Sequence, residues 1–438
     1  MDEVAIRHIR DSGVVGAGGA GFPTHVKLSA SAEIVIANGA ECEPLLECDR
    51  YLMLQRPYDL IDGIRKAMTI VGANKGYIAV KKKHDDILAL YEPILAKIPD
   101  MDLAPLPDVY PMGDEQVMVY QVTGRLVPPG GLPLAVGCVV SNVTTMVNVK
   151  EALDDDKPVT SRFVTVTGCV KEPYTRDIAI GTPVRDLIEA AGGLTRPDAV
   201  LIAGGPMTGR IFGLDDVITK TIGGILALPP ESYIVKEKQM TIEAIKLQSR
   251  AACFQCRDCT RVCPRWQLGY PFQPHLIMRA ANYQVEMAEE VLKTAHYCCD
   301  CGLCSTIGCQ TMKLSPRMMC NHYKGEVDRP PKFTGPVIPP EIILQDQLVP
   351  SKRITMRHLL SQFGHTHFVD GCLTPKEALI PLRQHIGAPA VAAVKAGQSV
   401  QKGTIIGTIP DKALGATVHS SIDGTVVSVT DGVVTIKA

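Results

Sequence analysis

Eight cysteines carry the most specific chemistry in this sequence. Cys253-x2-Cys256-x2-Cys259-x3-Cys263-Pro264 puts three thiols on one tight loop and a fourth before proline, and Cys298-x2-Cys301-x2-Cys304-x4-Cys309 repeats the first three positions. Three thiolates so spaced can take three irons of one [4Fe-4S] cubane while the fourth reaches a second cluster. The second run has one extra residue before its last cysteine, and Gln310 stands where proline would be expected. A pair of structural zinc sites is the alternative, but zinc takes its ligands as two separated pairs, and eight thiols in triplet-plus-one runs oversupply it. Two cubanes move single electrons and need a donor. Cys42, Cys48, Cys138, Cys169, Cys299, Cys320 and Cys372 read as small buried hydrophobes.

By the crossed logic of two-cluster ferredoxins, Cys253, Cys256, Cys259 and Cys309 hold one cluster, and Cys298, Cys301, Cys304 and Cys263 hold the other. Helices over 236–250, 274–282 and 285–295 are expected to position this block, which spans 236–325. Upstream, strands over 33–40 and 76–80 alternate with helices over 57–72 and 85–98, an α/β pattern. The acidic break Asp154-Asp155-Asp156-Lys157-Pro158 sets a boundary near residue 157. Beyond it, 158–235 reads as a compact β-sheet-plus-helix module. The segment 326–377 is read as a connector, since 326–352 hold six prolines, and the Gly- and Val-rich 378–438 as short strands of a small β-barrel or sandwich.

The chain has 438 residues, room for about three domains. Forty-five Lys and Arg against forty-six Asp and Glu leave a net charge of −1, which gives no electrostatic case for nucleic acid or anionic lipid. The acidic opening Met1-Asp2-Glu3 is no signal peptide, and no apolar stretch approaches the roughly 18 residues of a membrane span. A soluble, cytoplasmic protein is expected.

The donor side lies near the N-terminus. Gly16-Ala17-Gly18-Gly19-Ala20-Gly21 fits a dinucleotide glycine pattern, but the residues before it, 4–10, read as a helix and not the strand an ordinary Rossmann start requires. Glycines here let backbone N–H groups approach a phosphate or flavin, and Lys27 adds a compact positive charge. The loop with Phe22-Pro23-Thr24, followed by Asn38-Gly39-Ala40-Glu41-Cys42-Glu43-Pro44, resembles the large NADH-binding flavoprotein of respiratory complex I and its relative, the RnfC protein of the Rnf complex. Gly113-Asp114-Glu115 and Ser141-Asn142-Val143-Thr144-Thr145 continue that resemblance. It implies a Rossmann-related FMN domain over 1–157, with Gly16, Gly18, Gly19, Gly21, Lys27, Asn38, Glu41, Asn142 and Thr145 as FMN contacts. Phe22, Glu43 and Glu115 fall on the NADH side. Ala17 replaces the family's usual arginine, Cys42 its serine, and Leu132 falls where an adenine-stacking aromatic is expected.

The stretch 167–193 with Gly204-Gly205-Pro206-Met207-Thr208-Gly209 resembles a soluble-ligand-binding β-grasp (SLBB) domain, read equally as a ligand site or as a spacer. Residues 217–224 resemble a linker of the RnfC protein, and 381–389 its barrel-sandwich hybrid domain. The barrel closes the chain, an order that resembles the cobalamin reductases of propanediol-utilisation microcompartments. Lys412 sits in a turn like a lipoyl-attachment turn but is read as unmodified, and His385 as structural. The resemblance implies a multidomain α/β and α+β reductase passing electrons from NADH through FMN and two [4Fe-4S] clusters to cobalamin for a corrinoid adenosyltransferase, with a bacterial microcompartment as one location open to it. No residue in the sequence proves the corrinoid. The alternatives are an Rnf-like or amino-acid-reductase-associated protein feeding a redox protein acceptor, or a flavin-free ferredoxin-like relay.

Overall fold

The computed structural model describes residues 2–283, 288–338 and 348–438. Glu3–Asp11 is a helix, capped by the Asp2 side chain on Ala5 N–H at 3.0 Å, so a helix does precede the glycine loop. The first sheet contains β1 (Ile34–Asn38), β2 (Lys75–Lys81), β3 (Met101–Leu106) and, after the two-residue strand β4 (Val109–Tyr110), β5 (Cys138–Asn142). Its order is β3-β2-β1-β5 with every pairing parallel, and Asn38 and Asn142 are register partners at the carboxyl ends of β1 and β5. The chain runs from β1 to β2 and β3 on one side and then crosses back to set β5 on the other side of β1, and that switch point is where open parallel sheets bind ligands. Helices Pro57–Val71 and Val143–Asp154 cover one face so closely that a Cβ on Gly63 would sit 2.0 Å from Met146 O.

The second sheet contains β6 (Ser161–Gly168), β7 (Tyr174–Ala179), β8 (Val200–Ala203), β9 (Arg210–Phe212) and β10 (Gly224–Leu228), with helix Val184–Ala190 packed on it. Segment 326–377 is more than a connector. Its strand β11 (Val349–Pro350) pairs with β4, helix Ser351–Arg357 follows, and β12 (His367–Leu373) adds a parallel edge strand beside β7. Proline content misled the reading because Pro330, Pro331 and Pro336 precede these elements and Pro350 sits in the short β11 just before its helix; Pro339-Pro340 lie outside the described residues. The expected helix over 236–250 is two helices, Tyr233–Gln239 and Ile242–Ala252, divided at extended Met240 with Thr241 capping the second. Of the helix expected over 285–295, Ala288–Lys293 is helical and 285–287 lie outside the described residues.

The C-terminal barrel is built from two small sheets, β13 (Glu377–Pro381), β19 (Val433–Lys437), β18 (Gly424–Thr430) and β15 (Ser399–Val400), and β14 (Val391–Ala392), β16 (Ile405–Thr408) and β17 (Val418–His419). It backs the glycine loop, where Ile386 N donates to Gly21 O at 3.0 Å. Buried Lys220 rivets this seam, its Nζ donating to Gly13 O at 2.7 Å and Thr417 O at 2.8 Å. Burial pushes the Lys220 ammonium down to about 7, and the neighbouring His419 down to about 3. Between pH 7 and the ordinary lysine range the unfolded chain binds a proton that the folded chain does not, so stability rises with pH there. Lys220→Met removes that contribution: the melting temperature of the unsubstituted chain should climb relative to the variant from pH 7 to pH 9, measured by calorimetry.

Candidate functional site

The glycine loop closes on itself. Val15 and Pro23 bridge, Gly16 N donates to Phe22 O at 2.9 Å and Gly21 N to Gly16 O at 3.2 Å, and helix Thr24–Leu28 follows. Gly18 and Gly19 are exposed at its tip, and Gly19 has φ 109°, a value glycine alone adopts easily, with nothing within 4 Å of a built Cβ. Ala17 N donates to Thr145 Oγ1 at 2.9 Å, and a Cβ on Gly18 would lie 3.5 Å from Asn142 Cβ, so the loop rests on the N-terminus of helix Val143–Asp154. Backbone N–H groups at a helix N-terminus favour anions.

Several predicted contacts already hold the frame. Asn38 Nδ2 donates to Gly113 O at 2.9 Å, tying the 113–115 turn to β1. Asn142 Oδ1 caps its helix on Thr144 N at 2.9 Å, while its Nδ2 donates to Asp49 at 2.7 Å. Glu41, in the left-handed region at φ 34°, accepts from Asp49 N at 2.8 Å and Arg50 N at 3.1 Å, capping helix Cys48–Gln55. Burial first, and then the Asp49 charge, raises the Glu41 carboxyl to about 8. Lys27 Nζ reaches Glu115 at 2.9 Å and Val140 O at 2.7 Å, which brings Lys27, Glu115, Asn38, Asn142 and Thr145 to one edge of the sheet. Phe22 is half-buried at the loop's end, and Leu132 is exposed.

Glu43 is elsewhere engaged. The β-grasp loop encloses it, with Met207 N on Oε2 at 2.9 Å and Thr208 N and Oγ1 on Oε1 at 3.0 and 2.7 Å, and Tyr110 OH adds a bond at 3.3 Å. Gly205 is required there, because a Cβ would sit 2.0 Å from Glu43 Oε2. This bracket joins the first and second sheets, and nothing in the local sequence around Glu43 announced it.

The cysteines collect into two neighbouring rings. Cys253, Cys256, Cys259 and Cys309 line one cavity; Cys263, Cys298, Cys301 and Cys304, with Cys299, line another. Each ring mixes thiols from both runs. Cys304–Gly308 forms a π-helical turn that absorbs the extra residue before Cys309, and Gly308 lies so close to Cys259 that a Cβ would sit 2.6 Å from its Cα. Among the described residues no three His, Cys, Asp or Glu side chains converge as they would on a single ion. The thiols surround space, a donor set that suits a cluster better than tetrahedral zinc. Cys299, read as space-filling, also lines the second ring's cavity, and Cys320 is fully buried with its free thiol beside Cys298. The neighbouring Cys320 thiol is the largest influence holding the Cys298 thiol below the ordinary range.

Charged groups lock the second ring to the first sheet. Arg265, two residues past Cys263, makes a bidentate pair with Asp114 at 2.7 and 2.8 Å and donates Nε to Tyr297 O at 3.2 Å. Tyr110 OH donates to Cys301 O at 2.8 Å. Arg317 pairs with Asp300 at 2.6 Å and donates to Met207 O at 2.7 Å.

Four family models match the chain: a Nuo51 FMN-binding domain over residues 9–151, an SLBB domain over 163–211, a 4Fe-4S dicluster domain over 252–312 and an RnfC barrel sandwich hybrid domain over 361–438. The cobalamin reductases PduS of Salmonella typhimurium and Citrobacter freundii are each 39% identical, over 99% of this chain and 96% of the first, and over 98% and 95% for the second. The corresponding component of the Na(+)-translocating ferredoxin:NAD(+) oxidoreductase complex of Acetobacterium woodii is 35% identical over 60% of this chain and 58% of its own length. FMN and iron-sulfur clusters are thus the cofactors of an NADH-dependent flavoprotein oxidoreductase of the electron-transfer type. The chain belongs to the PduS family.

Proposed function

We propose that this protein passes electrons from NADH to cobalamin, preparing it for a corrinoid adenosyltransferase, and that it works within a bacterial microcompartment. The observation that carries the reading is the union, in one chain, of a glycine loop at a sheet switch point with two adjoining thiol rings, the second held beside that sheet by Asp114 and Arg265. The names of the two PduS relatives support the corrinoid as substrate.

FMN would lie along Gly16, Gly18, Gly19 and Gly21, with Lys27 opposite its phosphate or ring and Asn38, Glu41, Asn142 and Thr145 shaping the floor. Phe22 and Glu115 would face the nucleotide. Glu43 would act through the β-grasp bracket that holds it, and its neighbours leave it few free lone pairs. When bound, the flavin and clusters supply the conversion of a two-electron donor into single electrons. The residues do the rest. The loop presents N–H groups, the Asn38 and Asn142 bonds fix the turns around it, and the C-terminal barrel closes its back against water. Cys253, Cys256, Cys259 and Cys309 would ligate one cluster, and Cys263, Cys298, Cys301 and Cys304 the other.

Lys27→Glu places a second carboxylate beside Glu115 and is expected to weaken flavin binding about tenfold, the loss of one charge-assisted bond of ~1.5 kcal/mol, with iron content unchanged. Equilibrium dialysis with iron analysis checks this. Cys309→Ser and Cys263→Ser should each remove about half the iron but abolish different low-temperature EPR signals, because the rings are crossed. Anaerobic NADH-dependent reduction of cobalamin, beside an adenosyltransferase, decides the substrate. Protein that reduces viologen with NADH yet leaves cobalamin untouched feeds a protein acceptor instead.

A further inference from the structure

The two thiol rings differ in what surrounds them. The Cys263 ring meets the loops around the first sheet, through Arg265 on Asp114, Tyr110 on Cys301 and the Tyr297 ring 3.4 Å from a Cβ built on Gly130. Every residue lining the Cys253 cavity comes from 252–316, and Cys256 is exposed. The rings adjoin each other, since the turn Cys304–Gly308 leads from the second ring to Cys309 of the first and Gly308 packs against the Cys259 backbone. An electron entering from the first sheet therefore meets the Cys263 ring first and reaches the surface at the Cys253 ring.

The surface at that exit is unusual for an overall near-neutral chain. Phe254 is 64% exposed and Met312 36%, and both line the Cys253 cavity. Around them Arg257, Arg261, Arg279 and Lys313 are exposed; burial first, and then the charges of Arg257 and Arg279, disfavour protonation of His275 in the cavity wall. Asp258, a carboxylate of this lip among the described residues, is already paired with Arg261 at 3.2 Å. The result is an apolar tip inside a basic rim, and exposed aromatic, Met and Arg side chains are what protein interfaces use.

We propose that the Cys253, Cys256, Cys259 and Cys309 site is the terminal carrier, and that the lip formed by Phe254, Arg257, Met312 and Lys313 docks a one-electron acceptor protein with an acidic face. The inference rests on the electron-transfer reading above, with the corrinoid presented to the lip by the protein that carries it, and adds the order of the rings and the charge of that partner. Each NADH oxidised to NAD+ releases two electrons and one proton, so two successive encounters each reduce one acceptor by one electron. A basic rim steers an acidic protein from a distance set by the Debye length. An uncharged or cationic free corrinoid gains nothing from it.

The test uses the intact, cofactor-loaded protein with two haem probes, the acidic soluble domain of cytochrome b5 and the basic cytochrome c, followed by stopped-flow absorbance. Reduction of the acidic probe should fall about tenfold as salt rises from ~20 to ~300 mM, and that of the basic probe should not fall. Arg257→Glu with Lys313→Glu should slow the acidic probe at least about fivefold at low salt, while NADH bleaches bound flavin and clusters at the original rate. Phe254→Ser, which leaves the charges alone, should slow it without changing the salt slope. Equal rates for the acidic probe across salt and variants, with internal bleaching intact, overturn the proposal, as does a variant effect confined to free cobalamin. If NADH fails to bleach the flavin, the NADH reading of the previous subsection falls. Dithionite then loads the clusters, and the same comparison still decides the lip.

Discussion

The buried pair between Asp114 and Arg265 is the constraint on which the arrangement of the rings depends. Both side chains are largely inaccessible, at 13% and 8% exposure, and each is saturated: Asp114 also caps helix Glu115–Thr123 on Gln116 N and Val117 N, and Arg265 also holds Tyr297 O. Burial opposes the charge on the guanidinium, but Asp114 beside it more than offsets that and raises its pKa above the ordinary range. A planar fork fixes orientation as well as distance, which a lysine at this position would not. Removing either partner would strand a buried charge at a cost of about 3–5 kcal/mol. One end of the pair is the turn beside Glu115 and the other is the segment joining Cys263 to the second cysteine run, so the fork sets how the second ring faces the sheet.

The same device recurs at the other seams. Glu43 lies inside the β-grasp loop, Arg317 bridges Asp300 to Met207 O, and Lys220 ties the linker before β10 to the N-terminal turn and the barrel. In each, a charged side chain from one unit satisfies backbone groups of another, so separating the units exposes unpaired polar atoms rather than apolar surface alone. Such joints favour one relative placement over the many that hydrophobic contact would accept. That suits a chain whose sites have to stay at fixed separations while a donor and an acceptor come and go.

The periodic parts of this architecture were legible in the sequence. Strands β1 and β2 and the helices that follow them appeared within a few residues, because Pro57 and Asp85 open their helices and Gly72 ends one in the left-handed region, whereas β3, β5 and helix Val143–Asp154 were not read. The crossed rings were legible because cluster chemistry dictates spacing. The failures share a cause. The strand His367–Leu373 pairs with a partner about 190 residues earlier, and no local pattern in it distinguishes an edge strand from a linker. The break at Met240 reflects a Thr241 cap hidden in a continuous amphipathic run. Glu43, Glu41 and Asn142 were expected to face a ligand. Their side chains are engaged by Met207, Asp49 and neighbouring backbone, and residue type alone does not tell a ligand contact from the residue that shapes the pocket.

The contrast between the rings carries a last consequence. Around the buried ring the chain concentrates polar support: Asp300 N donates to Cys298 Sγ at 3.3 Å, Lys324 Nζ holds Cys298 O at 2.8 Å, and Arg265 and Arg317 stand close by with their carboxylates. The exposed ring has Gln255 Nε2 on Cys253 Sγ at 3.3 Å, and beyond it solvent and the cations of its rim. Hydrogen bonds to sulfur, nearby charge and solvent access are the levers by which a protein sets a cluster's potential. A buried ring depends on fixed dipoles that do not change when a partner arrives. An exposed ring is sensitive to what covers it, because an acidic face docked on the rim excludes water and adds negative charge at once. Both changes disfavour an added electron at the exposed ring, so docking itself promotes its departure toward the partner.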